Sequence, residues 1–352
     1  LITMVLKFTL LVALNYIIHY TPASQAQASV SGYSDQLPPL ETDTDPGPQT
    51  CGLAPPFCLK SRYRTIDGSC NNLIRPKWGI PQTPYGRLVP HNYADGVHEM
   101  PRSTTGRPLP NPRAISLRLY PDKQLVDPIW NLNAQQWGQI ITHDMSLTDF
   151  RIPPSRVRCC ETNGRLSPNS NPHTNPHCAT IMVPPDDPIH APQGTQCMNF
   201  ERTVTTRDRR CTPPGAPAEQ LTVVTAYMDL SLVYGSSEDQ AAPIRAGSGG
   251  RLLTDLRNDQ EWPPQHPNIT LACQLAQTPN ERCYLVGDFR ANQNPQLTVL
   301  HIVLVREHNR IADYLAELNP HWSDEKIFQE ARRIHIAEIQ HINYYEHLPI
   351  FL

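Results

Sequence analysis

In the stretch Trp137-Gly138-Gln139-Ile140-Ile141-Thr142-His143-Asp144, an amide, an imidazole and a carboxylate fall within reach of one helical turn. A neutral imidazole takes up and returns a proton near neutral pH, so His143 is a candidate general base. Gln139, four residues earlier, shares its helical face and could position a ligand. A single buried histidine is more often structural, so this segment alone does not decide. In Thr225-Ala226-Tyr227-Met228-Asp229-Leu230-Ser231, hydroxyl, carbonyl and carboxylate oxygens stand at alternate positions. A hard cation such as calcium requires that donor set, and Asp144 could add a further carboxylate. The spacing is not that of an EF-hand, and a strand with alternating polar residues accounts for it equally well. Arg290, in Gly287-Asp288-Phe289-Arg290, could present a fixed positive charge to a site, or it could be a solvated surface group.

Helices must carry most of these residues. Trp137, Ile140, Ile141 and Met145 form one apolar stripe over Asn133–Leu147, with Gln139 and His143 on another face. A second helix is expected from about Pro295 to Leu318, with Leu297, Leu300, Leu304, Ile311, Leu315 and Leu318 at helical spacing. A third should start at Ser323 as N-cap, with Asp324 and Glu325 suiting the positive helix start, and run to about His347. Its isoleucines, Ile327, Ile334, Ile336, Ile339 and Ile342, go nearly all round, which predicts burial. Proline, 37 of 352 residues, is concentrated upstream, with only Pro320 and Pro349 beyond Leu297. Residues 51 to about 128 should therefore wrap as Pro/Gly/Asn-rich loops. Leu221–Thr225 is the best short strand, and the class is mainly α.

The formal net charge of -3 gives no sign of a nucleic-acid partner, and a mean hydropathy of -0.45 excludes a polytopic membrane protein. Phe8–Ile18 is apolar, follows Lys7 and precedes the small residues Ala23, Ser24, Ala26 and Ala28, as in a secretory signal over residues 1–28. The run is too short for a membrane span, and Asn15 interrupts it. Residues 29–50 look like a flexible leader. Export favours disulfides for the 10 cysteines, none of them spaced as Cys-x-x-Cys. Short-range pairs are plausible for Cys58–Cys70, Cys197–Cys211 and Cys273–Cys283, with one of Cys159 and Cys160 reaching Cys178. Asn268-Ile269-Thr270 is a glycosylation sequon, expected on a surface loop.

Four ordered motifs carry a resemblance: Tyr63-Arg64-Thr65-Ile66-Asp67-Gly68-Ser69-Cys70-Asn71-Asn72, Trp137 to Asp144, Asp229 to Tyr234-Gly235-Ser236, and Arg290 to Arg306-Glu307-His308-Asn309-Arg310. Together they resemble the animal haem peroxidase superfamily, most of all its secreted chorion-peroxidase and peroxinectin-like members. The likeness covers residues 51–352 and implies a disulfide-stapled, mainly α peroxidase-like domain with long Pro-rich loops and few short strands. It implies that His143, Arg290 and Gln139 are the distal residues over haem b, and that Asp144, Thr225, Tyr227 (through its carbonyl), Asp229 and Ser231 hold calcium.

Many relatives link haem by esters to an Asp just before the distal histidine and to a Glu three residues after the distal arginine. Thr142 and Gln293 stand there instead, so non-covalent haem is expected. The family's proximal histidine lies beyond Leu352, and Leu348-Pro349-Ile350-Phe351-Leu352 ends in an apolar run, so the chain reads as the N-terminal part of such a domain. His308, His335, His341 and His347 stand in the wrong context for the proximal role, with His308 more plausibly structural. The implied activity is secreted and extracellular: hydrogen peroxide oxidises a small electron donor such as phenols, protein tyrosines or halides, in response to oxidative stress. Matrix or eggshell proteins are possible substrates. A fatty-acid dioxygenase of the same superfamily is an alternative, as is an adhesion protein on this fold. No Arg-Gly-Asp or Lys-Gly-Asp tripeptide supports the integrin-binding version.

Overall fold

A computed structural model of the chain describes residues 51, 52, 57–121, 123–149, 158–168, 170–172, 175–213, 215–268 and 281–352, all within the unit Pro46–Leu352. The expected signal and leader segments lie outside the described residues. In chain order the α-helices are α1 Pro112–Leu119, α2 Leu132–Met145, α3 Ser231–Tyr234, α4 Glu238–Ala241, α5 Pro295–Leu318 and α6 Asp324–Ile342. Among the described residues there are two small antiparallel ladders, β1 Ile181–Met182 with β2 Cys197–Met198 and β3 Asp255–Arg257 with β4 Gln260–Trp262. The β3–β4 turn places Asn258 at φ 50° and Asp259 at φ 56°, a left-handed pair that short polar side chains tolerate and that matches strand twist. No described helix is long and apolar enough to cross a membrane.

The helices start where their caps dictate. Asn131 accepts a hydrogen bond from Asn133 N to open α2, Asn294 accepts one from Leu297 N before Pro295 opens α5, and Ser323 accepts one from Lys326 N to open α6. Beyond Ile342 the chain widens into a π-turn, Asn343–His347, so the helical path reaches His347 as expected although the regular α-helix ends earlier. Buried Ile140 and Ile141 of α2, Leu232, Val233 and Tyr234 of α3, Leu297, Leu304 and Val305 of α5, and Phe328, Ile336 and Ile339 of α6 share one core cluster. Each large apolar side chain removed from water there contributes about 1.5–3 kcal/mol, enough to hold α3 although four residues could not be helical alone.

Several expectations are corrected. Helix α6 is not buried all round: Arg333, Ile334, Ala337 and His341 form an exposed stripe, with Ile334 39% exposed. Leu221–Thr225 is not a strand. Its neighbours cross it for single residues, Pro84 against Leu221 and Thr148 against Thr222, so no ladder propagates. Cys58–Cys70 and Cys159–Cys178 form as expected, but Cys197 pairs with Cys160 and Cys211 with Cys51. Short sequence separation was the wrong guide, because β1–β2 pairing brings Cys197 beside the 159–166 turn, where Gly164 O accepts from Cys197 N. Cys273, of the expected Cys273–Cys283 pair, lies outside the described residues.

The 61–72 segment wraps onto α6. Tyr63 Oη donates to Glu330 Oε1 at 3.0 Å, while Arg332 donates to Arg64 O at 2.8 Å and Thr65 O at 3.1 Å.

Candidate active site

The last turn of α2 brings His143 and Arg290 together. Its carbonyls have no partners further along the helix, and a cation is favoured at that end. Arg290 fills this place: Nη2 donates to His143 O at 2.9 Å and Nη1 to Ser146 O at 3.0 Å. The other edge of the guanidinium meets Asp288, with Nε at 3.1 Å from both carboxylate oxygens and Nη2 at 2.6 Å from Oδ2. Asp288 also caps the 3-10 turn Phe289–Asn292, accepting from Arg290 N at 2.8 Å. Gly287 sets the approach, since a Cβ there would run into the backbone of Gly235 and Ser231, and its N–H donates to Val233 O at 3.1 Å. The segment carrying Arg290 is thus docked on α3 as well as on α2.

His143 is 8% exposed. Its Nδ1 is sealed from solvent and makes no hydrogen bond, which leaves Nε2 as the nitrogen available to a ligand. Burial, and then the Arg290 charge, push the imidazole down to about 4 against the pull of Asp288, so the ring is neutral at physiological pH. Gln139 Oε1 accepts from Gln136 Nε2 at 2.9 Å and from Asn294 Nδ2 at 3.4 Å, which ties the amide to the start of α5.

On the other side of the same turn, Asp144 is fully buried. Its Oδ2 accepts from Leu230 N at 3.0 Å, and its Oδ1 from Ser231 Oγ at 3.2 Å and Leu232 N at 3.5 Å. Asp229 Oδ1 accepts from Thr225 Oγ1 at 2.8 Å and Ser231 N at 3.1 Å. Leu230 reaches this geometry through a left-handed backbone, φ 58°. Burial, and then Asp229, push the Asp144 carboxyl well above its usual range, and burial pushes Asp229 up to about 6. Asp229 Oδ2 is buried with no hydrogen-bond partner. Two sealed carboxylates with a free lone pair and two hydroxyls are a donor set that a hard cation satisfies and that costs free energy without one. Asp144, Thr225, Asp229 and Ser231 converge as expected. The Tyr227 side chain leads elsewhere, its hydroxyl donating to Trp78 O at 2.7 Å.

Thr142 and Gln293 are both exposed, and Thr142 Oγ1 donates back to Gly138 O at 2.8 Å. His308 and His335 are committed to the core, their Nδ1 atoms lying 2.8 and 2.9 Å from Tyr234 Oη. Asn268 is exposed; Ile269 and Thr270 lie outside the described residues. Sequence reading missed Asp288, although an Asp at an N-cap two residues before an Arg is a visible signal. It also missed His301, which is 1% exposed on α5 and has a sealed, unbonded Nε2.

The sequence profile of the animal haem peroxidase family matches residues 63–352. A Drosophila melanogaster peroxidase is 47% identical over 334 residues, covering 94% of this chain and 47% of the relative. An Aedes aegypti chorion peroxidase is 42% identical, covering 83% and 37% respectively. The chain thus spans about half the length, or less, of these curated relatives. Among solved structures, peroxidase A from Dictyostelium discoideum superposes with TM-score 0.65 at 28% identity, over 82% of this chain and 53% of that one. A fatty acid alpha-dioxygenase from Arabidopsis thaliana, at TM-score 0.55 and 17% identity, shares the fold. With profile, relatives and fold agreeing, the chain belongs to the animal haem peroxidase family.

Proposed function

We propose that the full protein is a secreted haem peroxidase, and that this chain supplies its distal half. The observation that carries the reading is Arg290 clamped to the carbonyl of His143, which presents a cation and a neutral base together. Bound haem would supply the redox chemistry of peroxide cleavage, and His143, Gln139 and Arg290 would face it, with Thr142 and Gln293 at its edge. His143 Nε2 takes a proton from hydrogen peroxide and returns it to the oxygen that leaves as water. The Arg290 charge stabilises negative charge developing on that oxygen. Gln139 orients the peroxide through its amide. Neither Thr142 nor Gln293 can form an ester as its acid component, so haem is held without covalent links.

Calcium would occupy the cage of Asp144, Thr225, Asp229 and Ser231, completed by the Tyr227 carbonyl. By holding Asp144 it holds the helical turn that carries His143, which is how an outer partner controls a reactive group. The relatives named chorion peroxidase support an extracellular location, and the disulfides suit export; small phenols, protein tyrosines or halides would be the electron donors. Stopped-flow measurement of the reaction of the haem-loaded full-length protein with hydrogen peroxide tests this. His143→Ala should slow it about 10²–10⁴-fold. An unchanged rate removes His143 from proton transfer.

A further inference from the structure

Between the 61–65 segment and α6 runs a groove made of two adjoining clefts. The smaller, about 220 Å³, is lined by Arg62, Arg64, Arg332 and Arg333. The larger, about 410 Å³, is lined by Ser61, Thr65, Ser323 and Lys326. Tyr63, Arg64 and Gln329 border both. The chain as a whole carries a net charge of -3, so this gathering of cations is a local departure from its balance.

The acceptors around the groove are already engaged. Arg332, only 2% exposed, donates to Arg64 O and Thr65 O and so takes up two carbonyls of the facing wall. Glu330, buried at the same place, accepts from Tyr63 Oη at 3.0 Å and pairs with Arg62 at 3.1 Å and Arg333 at 3.2 Å. Glu325 is held by Arg245 Nη1 at 2.9 Å and Gln329 Nε2 at 2.8 Å. Donors, in contrast, are left over. Arg62 and Arg333 are exposed, and a single shared carboxylate leaves most of their N–H groups free. Arg64 is exposed, lies 5.9 Å from the Tyr227 ring and has no ion pair among the described residues. Ser61 Oγ and Ser323 Oγ each accept a backbone N–H, from Tyr63 and Lys326, which leaves their hydroxyl hydrogens to donate.

Scattered surface arginines are simply hydrated, but these converge on one concavity, which focuses their field. The arginine cleft is smaller than the ~300 Å³ at which ordinary small-molecule pockets begin. It therefore suits one charged group, with the body of the ligand lying along the larger cleft. We propose that the groove binds a sulfated saccharide, with a sulfate in the arginine cleft and sugar oxygens against Ser61, Ser323 and Lys326. Guanidinium forks match an anion that offers several oxygens at once. A peptide would bring backbone N–H groups in need of acceptors, and those of the walls are taken. A saccharide brings ring, hydroxyl and ester oxygens in need of donors.

Calorimetric titration of the full-length protein with a sulfated hexasaccharide of uronic acid and glucosamine, and with its desulfated counterpart, tests this. The sulfated form should bind at one site and the desulfated form at least about 10-fold more weakly. Arg64→Glu should weaken the sulfated form about 10–100-fold, the scale for losing a hydrogen bond to a charged group. Arg118→Glu, which reverses an exposed charge on α1 outside the groove, should leave binding unchanged. Should Arg64→Glu not fold, Arg64→Gln and Lys326→Gln decide, each expected to weaken binding where Arg118→Glu does not. Absence of binding, indifference to sulfation, or equal weakening by Arg64→Glu and Arg118→Glu overturns the proposal. Inorganic sulfate binding as tightly as the hexasaccharide would make the groove a free-anion site, and a phosphotyrosine peptide displacing the hexasaccharide at lower concentration would make it a peptide site; either result overturns the saccharide assignment.

Discussion

Two carboxylate pairs lie in the helical half of the molecule, and burial pushes members of both upward. Asp144 and Asp229 are fully buried among Thr225, Ser231 and the amides of Leu230 and Leu232, with one lone pair left over. Glu307 and Glu338 sit half-buried between α5 and α6, where Arg310 Nε and Nη2 donate to Glu307 at 2.9 and 2.5 Å. Burial first, then Glu307, push Glu338 up to about 7, with Arg310 pulling back. The chemistry of the acids is the same, and their surroundings separate them. The sealed pair is ringed by oxygens and feels Arg332 and Arg64 without a hydrogen bond to either, the setting of the proposed calcium site, whereas a half-open pair with a bonded arginine resolves its conflict by holding a proton.

The largest expected effect follows from removing the sealed pair. Asp144→Ala strands the amides of Leu230 and Leu232 and the Ser231 hydroxyl, and deletes a ligand of the proposed calcium site. It should cost about 3 kcal/mol or more in denaturant unfolding of the full-length protein. A chelator should lower the melting temperature of the wild type and leave the variant unmoved. Equal response in both would put the two carboxylate pairs on the same footing.

Glu338 offers a smaller effect of opposite character. Its folded pKa, about 7, lies above the ordinary 4.5, so folding favours the protonated acid. The stabilisation is full below the ordinary value and is lost as pH rises through about 7. Glu338→Gln should therefore stabilise by about 1 kcal/mol at pH 8, after allowance for solvent screening, and by almost nothing at pH 4. Chemical denaturation at the two pH values checks this, and a gain that does not depend on pH contradicts it.

The smallest effect concerns a place where carboxylates are missing. With Thr142 and Gln293 proposed at the haem edge, acidified organic solvent should extract all haem from the full-length wild type. Thr142→Asp should retain a fraction after turnover with peroxide. Retention in the wild type would overturn the non-covalent reading.

Much of this organisation could be read from the residues themselves. Helix α5 begins and ends where Pro295 and Leu318 predict, because an Asn-Pro cap and a long apolar stripe are local signals. The oxygen donors of Asp144 and the 225–231 loop were visible by residue type, although their alternation fitted a strand equally well until the structure brought Asp144, Asp229 and Ser231 together. What escaped depends on tertiary neighbours. Cys197 lies nearer Cys211 in sequence, yet the β1–β2 ladder delivers it to Cys160. Ile334 looks buried by type, yet no described element covers it and it stands exposed. Asp288 pairs with Arg290 two residues on, and only the docking of Arg290 on the carbonyl of His143, which lies on α2, shows what that local pair serves.

The proposed cage around Asp144 and Asp229 would hold the turn bearing His143, and with it the docked Arg290, in working geometry. The rate of reaction of the haem-loaded full-length protein with hydrogen peroxide, measured before and after calcium is chelated and with haem content held equal, tests it. Chelation should slow the wild type toward the rate of His143→Ala, and added calcium should restore it. A rate that ignores chelation, in protein shown to have lost its calcium, would contradict the coupling between cage and base.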